Sequence, residues 1–346
     1  MNYEKLWSRP LFESGRNGYA SFRIPALLSL PNGTILAFAE GRKNSRQDWG
    51  EIDIVERIST DGGLNFGELR VAVSGFSNTA GNPCPVYDRF TGRIVMLFNR
   101  NLADGPESMI LRGEAPRTVH MVVSDDHGES WSGERDLTPD VKLPEWTWYA
   151  CGPCHAVQLD SGRLVIPCNH AVLGSQFEEN DGYISHALYS DDHGRTWKIS
   201  ADVGPMTNES TLACLGGNKL LINMRSYHGQ GCRALALSEN GGESWLDFRL
   251  EPMLPEPRCQ GTMLDIRHDG RTQLLFCNPA DPHERKNLTI HESLDGLQWH
   301  YGCTVTTAPS AYSDLCLNSN GELAILYETG ESNPYERIDF GLWKLY

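Results

Sequence analysis

Residues 22–42, FRIPALLSLPNGTILAFAEGR, decide the fold. They read as a strand over 23–30, a turn at Pro31-Asn32-Gly33 and a second strand over 34–40. Pro fixes φ, and Asn-Gly supplies the left-handed residues that a tight hairpin needs. Both strands are apolar on both faces, so the hairpin is expected to be an inner, buried one. Its polar residues gather at the open end: Arg23 begins the first strand, and Glu40 and Arg42 end the second. A hairpin brings its two ends together, so these three should share one end of the unit, opposite the turn.

The unit recurs. Its second strand returns as RIVMLFN (93–99), RLVIPCN (163–169), KLLINMR (219–225), TQLLFCN (272–278) and ELAILYE (322–328). The turn glycines Gly33, Gly92, Gly162, Gly217, Gly270 and Gly321 precede these strands at intervals of 51 to 70 residues. A third strand follows each hairpin, over 52–60, 119–125, 186–191, 232–239, 288–295 and 338–345. Periods of this size built from strands and turns mark a radial β architecture. The expectation is an all-β chain forming a six-bladed β-propeller. The repeats run almost end to end without a Pro- or Ser-rich linker, so residues 1–346 are expected to form one domain.

A second repeat accompanies the first. Five of the third strands end in a Ser-x-Asp-x-Gly-x-x-Trp turn. It is complete at 124–131 and 190–197, ends in Phe66 at 59–66, has Asn240 for Asp at 238–245, and is one residue short at 293–299. The Asp or Asn caps its own turn, Gly takes positive φ, and the aromatic packs between repeats. These boxes are read as structural, at the end of the unit away from Arg23.

A formal net charge of -15 argues against a nucleic-acid partner, and it means that an anionic ligand must be held by a local cationic cluster. No segment is long and apolar enough to span a membrane, and the first residues hold no apolar run of signal-peptide length. A cytoplasmic chain without membrane attachment is expected. The ten cysteines lack disulfide-framework spacing and read as buried side chains. Cys151-Gly152-Pro153-Cys154-His155 has the form of a redox or haem-attachment motif, but it leads into a strand rather than a helix. Zinc would need more ligands than Cys168 and His170. No metal and no cofactor is expected.

Equivalent positions of a radial repeat form a ring. Counting ten back from the turn glycine gives Arg23 in the first unit and Gln260 in the fifth. Nine back in the sixth gives Tyr312, and eight back in the fourth gives Glu209. The second strands end in Glu40, Asn99, Asn169, Arg225, Asn278 and Glu328. Charged groups at the ends of apolar inner strands are costly to bury unless paired or used for binding, so the set points to a ligand site at one mouth.

On these residues the chain resembles the exo-sialidases of glycoside hydrolase family 33. Phe22-Arg23-Ile24-Pro25 looks like the family's F/Y-R-I-P motif, and the Ser-x-Asp turns look like its Asp boxes. Asn208-Glu209-Ser210, Asn223-Met224-Arg225-Ser226, Arg285 and Ala311-Tyr312-Ser313-Asp314-Leu315 are further matches, spread over nearly the whole chain. The resemblance implies that Arg23, Arg225 and Arg285 grip a substrate carboxylate and that Glu328 holds Arg23. It implies Tyr312 as nucleophile, Glu209 as its base, Asp48 as acid/base, and Arg42 beside it. Gln260 is expected to add to the substrate contacts. Glu51 and Asp53 are rivals for the acid. Where animal members carry tyrosines around the glycerol chain, this sequence has Cys168-Asn169-His170.

The chemistry implied is the retaining hydrolysis of terminal α-linked sialic acids from sialylated glycans or oligosaccharides. A carboxylate on the anomeric carbon would repel an Asp or Glu nucleophile, whereas a tyrosine hydroxyl approaches neutral. Three guanidinium forks give bonds to a carboxylate that Lys could not reproduce. Glycosides of Kdn or Kdo share that carboxylate and stay open as substrates. A non-catalytic glycan-binding propeller should have lost Tyr312, Glu209 or Asp48, and a mere scaffold would have no reason to gather three arginines.

Overall fold

The computed structural model describes residues 1–174, 182–268 and 270–346. The chain is all-β, with two short helices, Glu107–Leu111 and Thr138–Val141, among the described residues. The founding hairpin forms as expected: Ser21–Ser29 pairs with Ile35–Arg42, and Gly33 turns at φ +87°. Ile52–Ser59 adds the third strand.

The same antiparallel arrangement repeats along the chain. The second unit is Thr79–Asp88, Arg93–Asn101 and Arg117–Ser124; the third is Trp146–Cys151 with Val157–Gln158, then Leu164–Val172 and Tyr183–Ser190. The fourth is Thr207–Gly216, Lys219–Ser226 and Cys232–Ser238; the fifth is Thr262–His268, Arg271–Pro279 and Lys286–Ser293. The sixth uses the end of the long strand His300–Leu317, with Leu323–Thr329 and Arg337–Leu345.

Each unit also carries a fourth, outer strand that the sequence pattern did not reveal. Three of these are as short as Arg70–Val73, Arg135–Asp136 and Lys198–Ile199, too short to show a period. The fourth unit has Leu246–Pro255, and the fifth borrows the start of His300–Leu317. The sixth takes Tyr3–Glu13 from the other end of the chain, so the first strand pairs with the last.

Hydrogen bonding gathers the strands into four sheets. The first and second units share one through the parallel pairing of Ile52 with Thr79, and the fifth and sixth share another through His300–Leu317. Packing supports every junction between units. Ala26, Phe38, Met96 and Phe98 join the first to the second, and Val95, Leu97, Leu164 and Ile166 join the second to the third. Val165, Ala187, Leu212 and Ile222 link third to fourth; Leu221, Leu235, Leu274 and Phe276 link fourth to fifth. Leu275, Ile290, Leu315 and Ile325 link fifth to sixth; Phe22, Ala37, Leu326 and Phe340 link sixth back to first. A strand that buries both faces in this way must be apolar on both, which is the pattern of the founding hairpin.

The Ser-x-Asp turns sit at the ends of the third strands. In the second unit the Ser124 hydroxyl donates to Asp126 at 2.8 Å and accepts the Gly128 amide at 2.8 Å, while Asp126 accepts the Ser130 amide at 2.9 Å. Gly128 has φ +89°. Trp131 lies edge-on to Phe38 of the preceding unit, with 5.9 Å between ring centroids. Phe66, which replaces Trp in the first unit, packs on Phe340 of the sixth at 4.8 Å.

Candidate active site

The site is built where the inner strands break register. The ladder between Ser21–Ser29 and Ile35–Arg42 shifts between Arg23 and Ala26, and Ile24 sits at φ +58°. A β-branched residue there is a rare and costly conformation, kept only when its surroundings hold it. Here Glu328 does so. The inner strands of the fourth and sixth units slip in the same way, between Thr207 and Ser210 and between Ser310 and Ser313. Those slips bracket Glu209 and Tyr312. A bulge turns one side chain out of the alternation, so three residues that the pleat would otherwise fix are re-aimed toward one mouth.

Glu328 is fully buried and ties two of these bulges together. Its Oε1 accepts Arg23 Nε at 2.7 Å and the Ile24 amide at 2.9 Å, and its Oε2 accepts the Tyr312 amide at 3.2 Å. Tyr312 Oη donates to Glu209 Oε1 at 2.5 Å. Arg225 Nη1 bonds Glu209 Oε2 at 2.8 Å and reaches Tyr312 Oη at 3.4 Å, while its buried Nε has no protein partner. Burial pushes the Tyr312 hydroxyl well above its ordinary pKa; the Glu209 charge adds to this, and Arg225 and Arg285 oppose it. The hydroxyl therefore waits protonated against a carboxylate.

Three guanidinium groups crowd this tyrosine. Arg23 lies 5.2 Å and Arg285 5.6 Å from the centre of its ring, and Arg225 reaches its hydroxyl. Arg285 is held by Tyr335 Oη at 2.9 Å and the Arg258 carbonyl at 2.9 Å, both uncharged oxygens. Its charge is left for a ligand.

Asp48 stands opposite on the loop after Arg42. Arg42 is buried and donates two bonds to Glu40 Oε2, at 3.0 and 2.6 Å, and one to the Arg46 carbonyl at 2.5 Å. Its remaining reach goes to Asp48 Oδ1 at 2.7 Å, and Arg23 Nη1 is 3.9 Å from the same oxygen. The Asp48 side chain is 73% exposed. Loss of solvation against the cleft wall raises its pKa, but Arg42 and Arg23 lower it more, so it titrates below the ordinary carboxylate range. A cavity of 260 Å³ opens beside it, between Trp49, Glu107, Arg117 and Trp148.

The rivals for the acid are placed elsewhere. Asp53 is buried and bonded to Tyr19 Oη and the Gly75 amide, and Glu51 lies 3.9 Å from Lys43. Gln260 does not face the mouth. It is 1% exposed, and its amide bonds the Pro153 and Ser313 carbonyls at 3.2 and 3.0 Å while its Oε1 accepts the Ser313 amide at 3.0 Å. Both N–H groups are used on backbone, so it braces the residue after Tyr312 rather than a substrate.

The expected ring of second-strand ends also divides. Arg225 enters the site. Glu40 and Asn99 are stitches to the next unit, accepting the Asn82 and Cys151 amides at 2.9 and 2.8 Å. Asn169 and His170 are buried; Asn169 holds Trp148, and His170 stacks on Trp146 and faces His186. The Cys151 and Cys154 thiols are buried, with their pKa values pushed up by burial, unlike a reactive redox pair.

Sequence reasoning missed Tyr335. Its ring lies under Arg23 at 4.2 Å and its hydroxyl holds Arg285, so it spaces two of the three arginines. A signal existed: it follows the second strand of the sixth unit, the position from which Asp48 enters in the first.

Comparison with known proteins fits this arrangement. Residues 33–325 match the model of the BNR repeat-like domain. Mouse Sialidase-3 is 30% identical over 97% of this chain and 94% of its own. The sialidase of Micromonospora viridifaciens is 29% identical over 94% of this chain and 52% of its own. Among solved structures, the Hadza microbial sialidase Hz136 superposes with a TM-score of 0.86 at 25% identity, covering 97% of this chain and 68% of that one. Trypanosoma rangeli sialidase gives 0.79 at 19% identity, over 97% and 59%. The chain belongs to the sialidases of the BNR-repeat superfamily and is a glycoside hydrolase.

Proposed function

We propose that this glycoside hydrolase is a retaining exo-α-sialidase that works through a tyrosyl-enzyme intermediate, and that its single domain is a six-bladed β-propeller with the site on the axis. The propeller reading is supported by six packed interfaces that return from the last unit to the first. The mechanistic reading rests on the 2.5 Å bond from Tyr312 Oη to Glu209 Oε1 beneath three guanidinium groups. The named relatives point to terminal sialic acids on glycans or oligosaccharides as substrate.

The substrate carboxylate docks between Arg23, Arg225 and Arg285, and the orphaned Arg225 Nε gives it one more donor. Its negative charge offsets the arginines that depress Asp48, and the aglycone screens that carboxyl from water. Both effects raise the Asp48 pKa, so substrate binding loads the acid. Glu209 takes the Tyr312 proton as the phenolic oxygen attacks the anomeric carbon, and Asp48 protonates the departing glycosidic oxygen. Asp48 then draws a proton from water, which displaces the tyrosyl oxygen; Glu209 returns its proton to Tyr312. Two displacements leave the configuration unchanged.

The test is to trap the intermediate. Trypanosoma rangeli sialidase is known as a covalent intermediate with 2,3-difluorosialic acid. The same probe should lose its anomeric fluoride, leaving a 3-fluorosialyl group whose mass appears on this protein, and peptide mapping should place it on Tyr312. An adduct on another residue overturns the mechanism. A parallel panel of aryl glycosides of sialic acid, Kdn and Kdo reads the substrate, since all three carry the carboxylate.

A further inference from the structure

Behind the nucleophile lies a buried pair that the mechanism does not use. Asp314 is two residues beyond Tyr312 on the same strand and is fully buried. Its Oδ2 accepts the Leu27 amide at 2.7 Å and the His155 amide at 2.9 Å. Its Oδ1 accepts His155 Nδ1 at 2.7 Å, Thr262 Oγ1 at 2.8 Å and the Leu315 amide at 2.9 Å. One carboxylate thus draws together the inner segments of the first, third, fifth and sixth units. Three consecutive residues are pinned: Tyr312 by Glu328, Ser313 by Gln260, Asp314 by this cluster.

We propose that His155 and Asp314 form an axial clasp that positions Tyr312, with the imidazolium of His155 neutralising a carboxylate that ties together the inner segments of four units. The clasp rests on the proposed role of Tyr312 as nucleophile. Leu27 lies on the strand that carries Arg23, so the same carboxylate fixes the strands of nucleophile and carboxylate-binding arginine. His155 is the last residue of the Cys-x-x-Cys-His motif, which therefore has a use in neither redox nor haem chemistry.

The charged groups around His155 are few. Asp314 faces it from the sixth unit and Asp265 from the fifth; burial lowers its pKa, and these two carboxylates raise it further, so the net shift is upward. Arg267 and Arg89 line the same 530 Å³ cavity, but Arg267 is engaged by Asp160 and Asp265, and Arg89 by Gln158. The nearby thiols of Cys84, Cys154 and Cys316 have raised pKa values and stay neutral. Loss of the proton from His155 leaves a buried carboxylate without a countercharge.

His155→Ala should lower kcat on an activated aryl sialoside about 10- to 100-fold, the scale of a small misplacement of reacting groups, with KM little changed. His155→Asn keeps a neutral donor near the Nδ1 position but no charge, so its kcat should lie between those of the wild type and the Ala variant, at the level the wild type reaches on the alkaline side. Wild-type kcat should fall as pH rises through the raised His155 pKa, and this alkaline fall should be absent in His155→Asn. Unchanged kcat in the Ala variant, or an alkaline fall that persists in the Asn variant, overturns the clasp.

Should neither variant fold, the imidazole resonances of the wild type read the same link. Coupling is reciprocal, so the His155 pKa must move when a transition-state analogue binds. Equal values with and without analogue overturn the proposal. A wild type that neither cleaves nor binds sialosides sinks the proposed function instead. The clasp is then read in thermal unfolding: a raised folded pKa contributes stability below the unfolded value that is lost as pH rises through the folded one. A wild-type midpoint that falls no more on the alkaline side than that of His155→Asn overturns it.

Discussion

The two ends of the sheets are held by opposite means. At the turn end each Ser-x-Asp box is closed within itself: Ser124, Asp126, Gly128 and Ser130 bond one another across four residues or fewer. At the mouth only the Glu40–Arg42–Asp48 corner is local, and the bonds that place the nucleophile span the chain. Tyr312 and its carboxylate are 103 positions apart, and Arg23 and Glu328 are 305 apart. The local turns repeat because each needs only its own residues, and losing one leaves the others intact. The mouth is assembled once, by all the units, so each partner there is irreplaceable. This contrast predicts activity losses at the mouth with little loss of stability, and the reverse at the turns.

The largest effect tests the mouth directly. Tyr312→Phe removes one oxygen and leaves Glu328 bonded to the residue-312 amide, so the arginines should stay in place. Turnover should fall by roughly 10³-fold or more, the scale of losing a nucleophile, while a sialic-acid-like inhibitor still binds. Near wild-type turnover by this variant would break the comparison at its strongest point.

A smaller loss is expected from Arg285→Lys. Lysine keeps the charge but cannot span the Tyr335 hydroxyl and the Arg258 carbonyl with a planar fork while facing a carboxylate. Titration calorimetry should show inhibitor binding weakened by about 1.5–3 kcal/mol, the scale of one charge-assisted bond. An unchanged affinity removes Arg285 from the site.

The smallest effect belongs to the turn end. Asp126→Ala should cost about 0.5–1.5 kcal/mol of stability, as for one net hydrogen-bond contribution, and leave kcat alone. The Ser130 hydroxyl and amide and the Ser124 hydroxyl hold the Asp126 carboxyl at about 2, against an ordinary 3.8. A depressed folded pKa gives stability that is present above the unfolded value and lost as pH falls through the folded one. The wild-type advantage should therefore be seen in unfolding midpoints above pH 4 and fade toward pH 2. A changed kcat would show that the two ends are coupled after all.

Much of this was legible in the linear chain. Apolar strands of fixed length, turn glycines at a near-constant spacing and self-capping Ser-x-Asp turns each depend on residues a few positions apart, so the sequence alone determined the β class, the repeat and the hairpin ends that carry Arg23, Glu209 and Tyr312. Asp48 and Arg285 were marked by the resemblance to the exo-sialidases, with Glu51 and Asp53 standing as rivals for the acid until the fold placed them.

The rest needed the third dimension. Gln260 and Asn99 have the same spacing from their turns as true mouth residues, yet they bond backbone; one residue of register decides which way a side chain points, and only the bulges set that register. The pairing of Tyr3–Glu13 with Arg337–Leu345 joins strands more than 320 positions apart, which no local pattern encodes. Tyr335 between two arginines, and Asp314 at the meeting point of four units, are likewise products of assembly. Local bonds can be read from spacing; a bond that closes only after distant units have packed is decided by the tertiary structure.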